Sequence, residues 1–133
     1  MSVAVAFQDT DAGRAALVVA VRQALLEGTT LEVLHVIDDD PDGDDAGARE
    51  RAESEVAESL TSFPSVPVWN AHVVAAGGDV AQSLLDLVVE TDATMLVIGS
   101  RRRSPVGKLL MGSVVQRVVL DSPVPVLTVK PVS

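Results

Sequence analysis

The chain has 133 residues, enough for one hydrophobic core and too few for two domains of ordinary size, so residues 1–133 are expected to form a single domain. Hydrophobic residues make up 47% of it but aromatics only 2%, which leaves Val, Ala and Leu to pack the core and suits strands covered on both faces. There is no cysteine, which excludes disulfides, thiolate metal sites and cysteine nucleophiles, and the net charge of −9 disfavours duplex nucleic acid as a partner.

Ser2–Phe7 is β-capable and predicts a first, central strand. The residues ahead of it carry no basic segment, and no apolar stretch approaches membrane-spanning length, so a cytoplasmic protein without membrane contact is expected. Asp9, Thr10 and Asp11 offer caps for a helix to about Glu27, with Leu17, Val18, Val21 and Leu25 at helical spacing and Gly28 as its stop. The turn from Gln8 to Asp11 lacks glycine and carries two acids, which makes it a poor cradle for phosphate.

Thr30–Ile37 predicts the second strand, and His35 within it reads as a packed structural histidine, because no second ligand stands at metal spacing. Asp38–Asp45 predicts a solvated acidic loop without the spacing of a calcium-binding helix–loop–helix. Ala48, Ala52, Val56 and Leu60 repeat every four residues and predict a surface helix with a narrow apolar stripe. Val68–Ala75 is the third strand, with Trp69 and His72 assigned to packing or an exposed edge. Gly77–Asp79 then opens a helix to about Glu90, whose apolar face is Val80, Leu84, Leu87 and Val88 and whose cap is Asp79 with Gln82 three residues on.

The remaining stretch carries the functional signal. A strand (Met95–Ile98), a long turn (Gly99–Gly112), a helix (Ser113–Leu120) and a strand (Val124–Val129) form a βαβ unit. The turn is bounded by glycines, where a backbone can bend sharply or approach a ligand, and it holds Arg101, Arg102, Arg103 and Lys108, four of the ten Lys and Arg residues in an acidic chain. A helix start leaves amides unpaired at the positive end of the helix dipole, so the Gly112–Ser113–Val114 turn is an anion site by construction and phosphate the expected anion. The plainer alternative is tight packing at Gly112, an ordinary capping box of Ser113 with Gln116, and solvated arginines.

From Val3 to Val129 the chain resembles the single-domain universal stress proteins. The nucleotide-binding pattern of that family is Gly, two residues, Gly, nine residues, Gly, then Ser or Thr; Gly99, Gly112 and Ser113 fall on it, and SVVQRVV followed by SPVPVLTVK is similar to the closing helix and strand. Arg102 stands where the family has its second glycine, and Gln8 where the first strand is usually followed by Asp. The resemblance implies an α/β fold, a three-layer open parallel five-stranded sheet of order 3-2-1-4-5 that is Rossmann-like and related to the adenine-nucleotide alpha hydrolases. It implies a ligand crevice between the first and fourth strands. Its implied ligand is ATP, with or without Mg²⁺, held by Gly99, Ser100, Arg101, Arg102, Gly112, Ser113 and Val114, with Gln8 and Val36 beside the nucleoside.

No nucleophile–base pair is proposed by spacing, and the histidine-containing phosphate motif of related nucleotidyl transferases is missing, so a non-catalytic binding module, at most a slow ATPase, is expected. Binding is set against a nucleotide-free regulatory dimer of the same fold; in either case Val124–Val129 would be the edge strand pairing with a second copy. The carboxylate excess, with only Lys108 and Lys130 as lysines, suits a halophilic source. Dilution from molar salt to salt-free buffer is expected to cost most of the folded far-ultraviolet circular dichroism signal; an unchanged spectrum would contradict that origin.

Overall fold

The computed structural model describes residues 1–37, 45–100 and 112–131. Strands and helices alternate as β1 (Ser2–Ala6), α1 (Asp11–Glu27), β2 (Thr30–Ile37), α2 (Asp45–Leu60), β3 (Trp69–Ala75), α3 (Val80–Glu90), β4 (Ala93–Gly99), α4 (Ser113–Asp121) and β5 (Val126–Val129). The five strands form one sheet of order β3-β2-β1-β4-β5, with every neighbouring pair parallel. Alternate residues serve opposite layers, as the pleat requires. Val3, Val5, Phe7, Leu31, Val33 and Val97 pack against α1 and α2, whereas Ala4, Ala6, Leu34, Val36, Leu96 and Ile98 pack against α3 and α4. The central strand β1 is buried along its whole length.

The face used by α1 differs from the one its large residues predict. Ala16, Leu17, Ala20, Val21 and Ala24 are buried, whereas Val18 is 43% and Leu25 42% exposed. The cause is the closeness of the helix to the sheet. A Cβ placed on Gly13 would stand 1.9 Å from the Gln8 carbonyl oxygen, so the first turn lies directly on the end of β1 and small side chains fill the gap behind it. Thr10 caps this helix, its Oγ1 accepting from the Gly13 amide at 3.0 Å, and Gly28 closes it with φ 63°.

Smaller departures have local causes. Asp45 belongs to α2 and not to the acidic loop; the rest of the Asp38–Asp45 prediction lies outside the described residues. β3 begins at Trp69, although the Val68 carbonyl still accepts from Leu31 at 2.9 Å. β5 begins at Val126 and not Val124, because Ser122 and Val124 close a turn on each other at 2.8 and 3.2 Å, between Pro123 and Pro125. His35 is a buried structural histidine, with Nδ1 2.7 Å from the Phe7 carbonyl oxygen and its ring tilted against Phe7.

His72 has a partner that the sequence does not announce. Glu32 on β2 is only 8% exposed, and its carboxylate meets His72 Nε2 at 2.6 Å and Asn70 Nδ2 at 3.4 Å, both on β3. Register makes this possible, since Glu32 pairs with Asn70 and Leu34 with His72, which places all three polar side chains on one face. A nearly buried carboxylate is tolerated only when its oxygens are bonded. His72→Ala is therefore expected to lower unfolding free energy by about 1–3 kcal/mol in urea denaturation; Glu32→Gln in the same background should recover part of the loss, and an unaltered midpoint would contradict the assignment.

Candidate functional site

The strand order reverses between β1 and β4, and the helices that follow these strands leave toward opposite layers, α1 to one side and α4 to the other. A crevice must open between their starts. It is a cavity of about 470 Å³, within the range of small-molecule sites. Its floor is apolar, from Ala6, Leu34, Val36 and Ile98 at the carboxyl ends of three strands. Val80 and Leu84 of α3 form one wall, and Gly112 to Val115 at the start of α4 face them.

Three helices bring their first turns to this cavity, and their caps differ. Thr10 caps α1, and Asp79 caps α3 by accepting from the Gln82 amide at 3.1 Å. Gly112 stands at the cap position of α4, and among the described residues no side chain caps it. The capping box of Ser113 with Gln116 is thus not formed: Ser113 is the first helical residue, one position too late to cap, and the cap residue has no side chain. Gln116 makes the first intrahelical bond, to the Gly112 carbonyl at 3.0 Å. The amides of Ser113, Val114 and Val115 are left without intrahelical acceptors, at the positive end of the dipole.

Gly99 lines the cavity, but the packing behind it explains the glycine. A Cβ there would lie 2.2 Å from the Ala12 carbonyl oxygen, so Gly99 lets the first turn of α1 pass over the end of β4. The backbone at Gly112 is extended, with φ −67° and ψ 158°, and does not itself demand glycine. Gln8 and Val36 also line the cavity, joined by a long contact of 3.5 Å from Gln8 Nε2 to the Val36 carbonyl. Ser100 is placed differently. It is buried, and its amide and Oγ both donate to the Val129 carbonyl, at 2.8 and 3.3 Å, which ties β4 to β5. Arg101, Arg102, Arg103 and Lys108 lie outside the described residues.

Charges around the mouth are arranged in pairs. Asp9 and Asp11, next in sequence to the lining residues Gln8, Thr10 and Ala12, each sit 2.7 Å from Arg14, so one guanidinium partly offsets the two acids, and its pKa is raised by its bonds to Asp9 and then Asp11. Arg117 of α4 reaches Asp79 at 2.6 Å and Gln82 at 3.0 Å. That guanidinium, followed by the Gln82 amide, holds the Asp79 carboxyl below its usual range. A lowered carboxyl value favours the folded state at neutral pH, and the benefit is lost as pH falls through that value. Arg117 carries little signal in the sequence beyond its place as the single basic residue of α4. Among the described residues no group of three or more His, Asp or Glu is arranged to hold a metal, and no helix is long and apolar enough to cross a membrane.

Residues 1–130 match the model of the universal stress protein family. A universal stress protein of Thermus aquaticus is 31% identical over 97% of this chain and 98% of its own length. One from Mycolicibacterium smegmatis is 56% identical over 55 residues, so the aligned part spans 41% of this chain and 42% of that protein. A universal stress protein structure from Archaeoglobus fulgidus superposes with a TM-score of 0.80 at 29% identity, covering 98% of both chains. Two further structures share the fold: a universal stress protein from Archaeoglobus fulgidus in complex with dAMP (24% identity, TM-score 0.74, 98% of both chains) and one in complex with cAMP (22%, 0.66, 98% of both).

Gly99→Ala should destabilise by about 1–3 kcal/mol through overpacking, read as a lowered urea midpoint; full stability would show that α1 does not lie as close as described. The matching family model, the length of the Thermus aquaticus alignment and the sheet order identify the chain as a member of the universal stress protein family.

Proposed function

We propose that this chain is a nucleotide-binding module with ATP as its ligand, and that it acts without catalysis, as a cytoplasmic homodimer in stress response. The observation that carries this is the uncapped start of α4 opening into an apolar-floored cavity: amides for phosphate at one end, aliphatic surface for a base at the other. Gly112, Ser113 and Val114 would hold the phosphates, with Ser113 also offering its hydroxyl, while Val36 and Gln8 lie where the nucleoside would rest. Gly99 would serve by bringing α1 close. Arg101 and Arg102 would neutralise phosphate charge. Any Mg²⁺ would be carried by the phosphates, since the lining contains no carboxylate among the described residues. The dAMP and cAMP complexes of relatives support a nucleotide in a cavity of this architecture.

The dimer would form through β5, which pairs with β4 on one side only. On that edge strand Leu127 is 40% exposed, an apolar side chain suited to contact with a second copy. Calorimetric titration of ATP with Mg²⁺ at high salt should give a saturable heat, and Gly112→Leu, which crowds the amides, should abolish it. An identical titration for the variant, or none for the wild type, would favour the nucleotide-free dimer.

A further inference from the structure

α3 and α4 pack together over one face of the sheet, with Leu84, Leu85 and Val88 of the first and Val115 and Val118 of the second in one hydrophobic cluster. Each presents its first turn to the cavity, but with different chemistry. α3 contributes the apolar Val80 and Leu84, whereas α4 contributes the amides at Ser113 and Val114. A ligand with an apolar part and an anionic part must touch both at once. The spacing of the two helix starts therefore decides whether both contacts can be made.

Apolar packing resists separation of the helices but has no direction of its own. The directional link is Arg117, one turn beyond Ser113. Its Nη1 donates to Asp79 Oδ2 at 2.6 Å, its Nη2 donates to Gln82 Oε1 at 3.0 Å, and its Nε lies 3.6 Å from Asp121 Oδ2 on its own helix. Asp79 is at the same time the cap of α3, with Oδ1 accepting from the Gln82 amide. One planar guanidinium thus grips the cap of α3 and the residue three positions on, from the turn next to the uncapped start of α4.

We propose that Arg117 is a positioning residue for the ligand: its fork to Asp79 and Gln82 sets the distance between the apolar wall on α3 and the anion-binding amides on α4. This rests on the nucleotide-binding function proposed above. Two weak contacts reinforce one another only when their spacing is already correct, so holding that spacing raises affinity for a ligand that bridges them and leaves a ligand that touches one of them unaffected. The Arg117 and Asp79 side chains are 41% and 45% exposed, and a pair so open to water adds little to global stability. Binding and folding are therefore separable. Lysine at this place would keep the charge and lose the fork.

Arg117→Met, Arg117→Lys and Asp79→Asn test this, with Asn retaining the cap acceptor of α3. ATP is titrated by calorimetry, adenosine by chemical-shift changes at millimolar concentration, and the melting temperature is recorded for each variant. Loss of the fork is expected to weaken ATP binding about three- to fivefold, within the range of an exposed ion pair, and to leave adenosine binding unchanged. Melting should shift by no more than about 3 °C. The Asp79→Asn/Arg117→Met double variant should bind ATP no worse than Arg117→Met alone, because the two act through one contact. Unaltered ATP affinity, an equal loss for adenosine, or a loss that tracks melting would overturn the positioning role while leaving nucleotide binding intact. A wild type that binds no ATP would overturn the nucleotide reading itself.

Discussion

The backbone amides at the start of α4 have no acceptor within their helix, and the fold sets them at the mouth of a cavity. Buried or half-buried amides need a partner, and in the other two helices that face the same cavity a side chain supplies one. Thr10 and Asp79 are local solutions to that demand; at α4 the cap residue is Gly112, which has nothing to offer. The sheet reverses at this point, so the loops after β1 and β4 diverge and leave space in front of the unpaired amides. Architecture supplies the space, and one residue choice keeps it open.

The rest of the molecule maintains this arrangement by close packing of small residues. The alanines on its buried face let α1 settle onto β1 and β4 so tightly that Gly13 and Gly99 admit no Cβ. That contact fixes one rim of the cavity. The other rim is the α3–α4 pair, locked by aliphatic packing and steered by Arg117. The ion pairs at the mouth, Arg14 with Asp9 and Asp11, and Arg117 with Asp79, leave no acid near the cavity without a cationic neighbour among the side chains described. An acidic protein can in this way lessen the repulsion that it offers an anion there.

The order of strands and helices along the chain and the central place of β1 were legible in the sequence, because Val-rich runs and helical spacing report burial directly; the sheet order and the position of the crevice followed from the family resemblance. Residue-level causes were less so. Gly99 lies on a nucleotide-binding pattern, yet its immediate constraint is the Ala12 carbonyl, a contact between segments far apart in the chain that no local pattern encodes. By size Val18 and Leu25 mark the buried face of α1, whereas a close helix buries its alanines. Ser113 with Gln116 satisfied the spacing of a capping box, but a shift of one residue in the helix start turned the cap into the first helical position. The Glu32–His72 contact depends on strand register, which a single sequence does not disclose.

Replacing Ser113 by proline addresses the central claim most directly. Proline is favoured at the first helical position, and the extended Gly112 backbone, with ψ 158°, accommodates a following proline, so α4 should persist while the amide is removed together with the hydroxyl; Ser113→Ala, which removes the hydroxyl alone, is the reference for affinity. If that amide binds phosphate, calorimetry should show ATP affinity falling about ten- to a hundredfold with circular dichroism unchanged, the loss expected for one hydrogen bond to a charged group. Undiminished ATP affinity in a normally folded Ser113→Pro protein would contradict the account.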